Sequence, residues 1–270
     1  MSAENLAENP VRTSLASGDI ALGMSLRQAR TPAIAEVARR AGFDFLFLDL
    51  EHGSLSTETA AEVSFAALQA GIASFVRIPE GQDWIGTQIL NAGATGVIAP
   101  HVNTKHEAEA VVARHKFPPL GQRSFPGPMG HFAWGRVPRP RAVEMVNAAT
   151  VIVAQIESPE AVANAREIAA VDGIDILMVG VGDLSQELGV APDSPDVEEA
   201  IRTVADASEA NGKWAGFGGV ADPDRVADYV GLGARFVLAG NEMGFLIAGA
   251  SNRVRAIRER TDAARSEVPT

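Results

Sequence analysis

Asp49, Glu51 and His52 stand within four positions at the end of the apolar run FLFLDL. Two carboxylates and an imidazole in so short a stretch are either a polar turn or the start of a site that moves protons near neutral pH. Other apolar runs end in groups that could join them. Arg77 closes VRIP, His101 follows Pro100, Gln155 and Glu157 close QIE, and Asp183 sits in GVGDLS. Glu157 and Asp183 are hard oxygen ligands with no thiolate and no histidine pair nearby. That favours Mg2+ or Mn2+, each keeping several waters, over structural zinc, and leaves Co2+ as a further divalent candidate. Arg77 is planar and permanently charged, suited to a carboxylate or a developing enolate. The plainer readings remain open. Glu157 and Asp183 could be solvated loop carboxylates, Arg77 an ion-pair partner of Asp49 or Glu51, and His52 and His101 polar loop residues.

Those residues work together only if the fold brings them to one place. The strand candidates are IALGMS (20–25), FLFLDL (45–50), ASFVRI (73–78), TGVIAP (95–100), TVIVAQI (150–156), IDILMVG (174–180), KWAGFG (213–218) and RFVLAG (235–240). Most are continuous apolar runs, as expected of parallel strands covered by helices. Amphipathic segments lie between them. One ends at Gly42, and another opens with Ser158-Pro159, an N-cap followed by proline at the first helical position. Eight strand–helix units predict a single-domain α/β TIM barrel, (β/α)8, in which polar groups at the C-terminal strand ends share one mouth. A doubly wound open sheet is the alternative, but it usually begins with a glycine-rich phosphate loop. Here the only such cluster, GVGDLS, follows the sixth strand. The division expected is a flexible arm over 1–18, the barrel over 19–260 and a tail over 261–270. The Pro- and Gly-rich stretch 117–140 reads as a lid-like loop.

Composition narrows the function further. The 270 residues are 46% hydrophobic and 21% charged, enough for a sizeable core. The net charge of −11 makes nucleic acid a poor partner. There is no cysteine, hence no disulfide or thiolate site. No stretch is apolar enough for a membrane span and the N-terminus lacks a secretory h-region, so a cytoplasmic protein is expected. The three lysines, Lys105, Lys116 and Lys213, avoid the C-terminal strand ends. The first and second read as solvated helix flanks and the third as a residue of the opposite barrel face. A Schiff-base mechanism therefore has no lysine to use, and carbanion chemistry would lean on a metal.

The segments AEVARRAGFDFLFLDLEHG, VRIP, NAGATGVIAP, GQRS and QIESPEAVANAREIAAVDGIDILMVGVGDLSQELG resemble the HpcH/HpaI aldolases, the metal-dependent (class II) pyruvate aldolases. The resemblance runs from about Ile20 to the last helix. It implies a TIM barrel assembled as a homo-oligomer, a trimer or a hexamer of two trimers, with the last helix exchanged between neighbours. It further implies metal ligation by Glu157 and Asp183, and substrate binding by Gln155 and the Gly182 N–H. Enolate stabilisation falls to Arg77, acid–base catalysis to His52, and the holding of metal waters to Asp49 and Glu51. The expected reaction is reversible retro-aldol cleavage of a 4-hydroxy-2-oxo acid into pyruvate and an aldehyde through a metal-stabilised enolate. The alternatives are a 2-oxo acid decarboxylase, a citrate-lyase-like enzyme on the same site, or a non-catalytic barrel that binds an oxo acid. Three departures from the family pattern stand out. Asn91 occupies the place of an aspartate that pairs with the histidine, which predicts a less basic His52 unless a neighbouring carboxylate compensates. The loop RSFPGPMGHF carries an extra proline, and Glu242 stands where relatives often have aspartate.

Overall fold

The computed structural model describes residues 8–266, with side chains to residue 263. Eight parallel strands close into a barrel in sequence order: β1 (Ala21–Leu26), β2 (Phe45–Asp49), β3 (Ala73–Arg77), β4 (Gly96–Ala99), β5 (Val151–Ile156), β6 (Ile176–Gly180), β7 (Trp214–Gly218) and β8 (Ala234–Asn241). Each apolar run of the sequence becomes one strand, and the ends shift by at most two residues. The helices are α1 (Pro10–Ala16), α2 (Ile34–Ala41), α3 (Thr57–Ala70), α4 (Asp83–Ala92), α5 (Lys105–His115) and α6 (Arg139–Ala149). They continue with α7 (Pro159–Ala163), α8 (Ala165–Ala169), α9 (Val181–Leu188), α10 (Pro195–Ala210), α11 (Pro223–Gly231) and α12 (Glu242–Ser266). Among the described residues, no helix is long and apolar enough to cross a membrane.

Strand alternation separates two cores. Leu46, Leu48, Val76, Val97, Ile152, Leu177 and Val237 face outward and pack under the helices. Phe45, Phe47, Phe75, Ile98, Val153, Met178 and Phe236 face inward and fill the barrel. Phe45 stacks on Phe236 with ring centroids 4.2 Å apart, and Phe75 meets both edge-on. Gly23 makes that layer possible, because a Cβ there would strike the Phe45 ring.

Three expectations from the sequence change here. The arm expected over 1–18 contains a helix. Asn9 caps α1 by accepting from the Val11 N–H, Pro10 takes the first helical position, and Val11 and Leu15 are buried beneath the barrel. Residues 1–7 lie outside the description. At the other end, α12 continues to Ser266, so most of the expected 261–270 tail is helical. The segment expected as a lid begins at the N-terminal end of the barrel, where α5 finishes. There Phe117, Met129 and Phe132 pack with Ala142 and Val146 of α6, and a ring nitrogen of His131 lies 3.0 Å from the Ala94 carbonyl. Its prolines and glycines mark a packed connection on the barrel flank.

Lys116, read as solvated, is buried. Its ammonium donates to the Asn147 carbonyl at 2.8 Å and to the Thr150 carbonyl, and lies 3.8 Å from Asp175. Burial pulls its pKa down to about 8, against the attraction of Asp175. Lys105 is exposed beside Glu109, as expected.

Candidate active site

The C-terminal strand ends enclose a cavity of about 140 Å³ lined by Arg27, His52, Arg77, Gln155, Glu157 and Asp183, with Phe47 and Met178 as its floor. In a closed eight-strand barrel β2 lies across from β6, and β1 across from β5. His52 and Arg77 therefore face Glu157 and Asp183.

Asp49 is the hub of the β2–β3 side. Parallel register sets it beside Arg77, and two bonds join them, Arg77 Nε to Asp49 Oδ1 at 3.1 Å and Nη2 to Oδ2 at 2.7 Å. The Glu51 and His52 amides also donate to Asp49 Oδ1, which shapes the turn that carries His52. Burial pushes the Asp49 carboxyl up, but the Arg77 bond and charge outweigh it and hold it below its usual range. The ion pair and the cavity-lining role of Arg77 coexist in one geometry. Glu51 lies 3.2 Å from Arg77 Nη1 and 3.7 Å from His52 Nε2. Asp49 and Glu51 thus grip the arginines and the histidine of the mouth.

On the facing side, Glu157 is buried and accepts from Gln155 Nε2 at 2.5 Å and from the His101 amide at 3.3 Å. Burial pushes its carboxyl up to about 7, against the pull of His101 and with a further upward push from Asp183. Gly180 lets the carboxylate sit over β6, since a Cβ at that position would collide with it. Gly182 lies in the first turn of α9 and lines the cavity, where helix N-terminal N–H groups favour an anion. Among the described residues, no three His, Cys, Asp or Glu side chains cluster as a metal site. The set fits a hard cation all the same. Glu157 is a buried carboxylate short of positive charge, Gln155 Oε1 is buried without a partner, and Asp183 stands close by. A cation held by two carboxylates keeps positions for substrate and water.

His101 sits between the two halves, with ring nitrogens 3.5 Å from Glu51 and from Glu157. Its φ of 53° is unusual for a histidine, and such strain persists where surrounding contacts fix it. Asn91 lies elsewhere. It belongs to the last turn of α4, which returns the chain to the N-terminal end of β4, whereas His52 follows the C-terminal end of β2. Within one chain the two sit at opposite barrel ends, and Asn91 Oδ1 accepts from Arg123 Nη2 at 2.6 Å. The carboxylate beside His52 is Glu51.

A family model described as HpcH/HpaI aldolase/citrate lyase matches residues 24–248, a span that holds every cavity residue. The chain belongs to the HpcH/HpaI aldolase/citrate lyase family. It is 34% identical over 257 residues to the 4-hydroxy-4-methyl-2-oxoglutarate aldolase of Hapsidospora irregularis, covering 93% of this chain and 95% of that one. Against the 2-keto-3-deoxy-L-rhamnonate aldolase of Escherichia coli K12 it is 34% identical, covering 87% and 88%. The crystal structure of an HpcH/HpaI aldolase from Desulfitobacterium hafniense DCB-2 superposes with a TM-score of 0.86 at 28% identity, over 96% and 97% of the two chains. As a member of this family the chain is a carbon–carbon lyase of the aldolase type.

Two residues that line the cavity escape a reading of strand ends alone. Gly180 reads as an ordinary strand glycine until Glu157 is placed over it. Arg27 reads as loop, because the first apolar run stops at Ser25. The signal was parity: Ala21, Gly23, Ser25 and Arg27 alternate onto the inner face. Glu242 also finds its place, since one of its oxygens accepts from the Arg27, Gln28 and Ala29 amides at 2.7, 2.5 and 3.1 Å.

Proposed function

We propose that the chain is a divalent-metal-dependent aldolase that cleaves 4-hydroxy-2-oxo acids into pyruvate and a second carbonyl compound. The observation that carries this reading is the division of one cavity into an arginine–histidine wall and a carboxylate wall. Glu157 and Asp183 would hold Mg2+ or Mn2+, which supplies Lewis-acid polarisation of the 2-oxo group when bound. Gln155 and the Gly182 N–H orient the substrate's first carboxylate. Arg77, fixed by Asp49 and Glu51, offers its guanidinium to the negative charge that grows on the 2-oxo oxygen. His52 takes the C4 hydroxyl proton while the C3–C4 bond breaks, and Glu51 stabilises the imidazolium that results. The named substrates of both relatives are 2-oxo acids with a hydroxyl on C4, in keeping with that chemistry. The apolar residues exposed on α12, among them Phe245, Leu246, Ile247 and Ile257, support a homo-oligomer, trimeric or hexameric. The acidic, cysteine-free chain suits the cytoplasm.

Pyruvate release from 4-hydroxy-2-oxo acids, followed by coupled NADH oxidation, tests the reading. Turnover is expected with Mg2+ or Mn2+, lost with EDTA, and reduced more than about 1000-fold by Glu157→Ala. Undiminished turnover after metal removal would sink the mechanism, and carbon dioxide released in place of a carbonyl fragment would make the enzyme a decarboxylase.

A further inference from the structure

Arg27 is placed more firmly than an incidental ion-pair partner needs to be. Its backbone is held from two sides. Glu242 gathers the amides of Arg27 and the next two residues on one oxygen, and the Arg27 carbonyl accepts from the Ser54 amide at 2.9 Å. The loops after β1 and β2 are thereby tied together at the edge of the cavity. The side chain reaches inward and sets Nε 3.1 Å from Asp49 Oδ2.

Asp49 does not need this second arginine. Arg77 already gives it two bonds, and the Glu51 and His52 amides two more. Arg27 is used only through Nε. Among the described residues its two terminal nitrogens have no hydrogen-bond or ion-pair partner, and its side chain is 46% exposed in the wall of the cavity. A guanidinium drawn to Asp49 through Nε, with both terminal N–H edges open, is a preformed receptor for a carboxylate.

Its place in the barrel says which carboxylate. β1 lies across the mouth from β5, the strand that leads to Glu157. A 2-oxo acid anchored by C1 and C2 over Glu157, Asp183 and Gly182 runs C3 and C4 toward Arg77 and His52. The next substituent on C4 meets the β1 edge. We infer that Arg27 is a specificity-determining residue that binds a carboxylate on C4, so the preferred substrates are 4-hydroxy-2-oxo dicarboxylates.

This rests on the aldolase reading above. The reaction balances without a further reactant. The C3–C4 bond breaks and its electron pair stays with C3, the C4 hydroxyl proton passes to His52, and C4 becomes the carbonyl carbon of a 2-oxo acid. C3 then takes a proton to give pyruvate. Of the two relatives' substrates, the methyl-oxoglutarate is the dicarboxylate and the deoxy-rhamnonate is not. The open fork of Arg27 favours the first type.

The test compares 4-hydroxy-2-oxoglutarate with 4-hydroxy-2-oxopentanoate, in which a methyl group replaces the second carboxylate. The readout is the ratio of their kcat/KM values in one preparation, which does not depend on the fraction of folded enzyme. The wild-type chain is expected to prefer the dicarboxylate by about 100-fold, and Arg27→Ala to remove most of that preference. Arg27→Lys, which keeps the charge but loses the fork, should fall between them. A wild-type preference for the pentanoate, or a ratio unmoved by Arg27→Ala, would overturn the assignment while leaving the aldolase intact. Cleavage of neither substrate by the metal-loaded wild type would overturn the aldolase reading itself, and the role of Arg27 with it.

Discussion

Asp49 and Asp175 are two carboxylates at opposite ends of the barrel, each facing two cations. Asp175 receives Arg12 Nη2 at 2.6 Å and the Ile152 amide at 2.8 Å, with the Lys116 ammonium 3.8 Å away. Asp49 holds Arg77 and Arg27. Around Asp175 the remaining capacity of the lysine goes to carbonyls of its own chain, Asn147 and Thr150. Around Asp49 both arginines keep an edge on a cavity. The same chemical pairing is a clamp where carbonyls of the chain take up the lysine and a receptor where both cations line a cavity. Burial alone does not separate the two, since both hubs are largely shielded from water.

The sharpest way to break this comparison is to neutralise each hub. Asp49→Asn should cut kcat by at least about 100-fold, because Arg77 loses its fork and the turn carrying His52 loses a charged acceptor. Asp175→Asn should leave the turnover of folded enzyme within about twofold of wild type, yet cost on the order of 3 kcal/mol in urea unfolding, the usual penalty for breaking a buried pair. Equal effects of the two changes on kcat would erase the distinction.

An effect of similar size, spread over a pH window, concerns Lys116. Its folded pKa of about 8 lies below the value near 10.4 of an unfolded lysine. The unfolded chain therefore binds more protons between those limits, and stability rises with pH across that window. Below it the burial cost is present in full; above it the lysine is neutral in both states. Lys116→Met should remove a rise of about 3 kcal/mol, seen as urea midpoints that no longer climb relative to wild type. A parallel climb in the variant would assign the slope to other groups.

The smallest effect is expected at Asn91. Arg123 is buried, and burial lowers its pKa to about 9, with the Asn91 amide oxygen as its acceptor and Nε and Nη1 unpartnered. Asn91→Asp supplies a counter-charge where desolvation has already been incurred, and should raise stability by about 1 kcal/mol in thermal unfolding. A lowered Tm would show that the guanidinium is content with a neutral partner.

The architecture was legible because doubly covered parallel strands cannot hide their apolar continuity, and the mouth was legible because polar residues at strand ends break that continuity. Arg77, Gln155, Glu157 and Asp183 all carried this signature. Arg27 lacked it, since it comes after a run whose inward positions are the small residues Ala21, Gly23 and Ser25. Lys116 could not be placed, because its carbonyl partners lie more than thirty residues away and no local pattern announces them. Asn91 is a different case, since only its place within one chain is described. Its position in the last turn of a barrel helix already puts it at the end opposite His52, a consequence of topology that a motif match passes over. In α1, Asn9-Pro10 spelled a helix start, but the polar residues around it favoured reading an arm.

Phe45 stacked on Phe236, with Phe75 edge-on to both, plugs the barrel below the Phe47 and Met178 floor of the cavity. The vessel therefore has a single opening, and whatever enters must leave by the same route. Glu157 lies deep and Arg27 near the rim. On the proposed reaction, two fragments made in such a vessel would depart in order of depth, the rim-side carbonyl compound before the fragment held over Glu157. Run backwards, the fragment held over Glu157 would enter before its partner, and the closed barrel beneath the cavity would set the order of events as surely as any moving part.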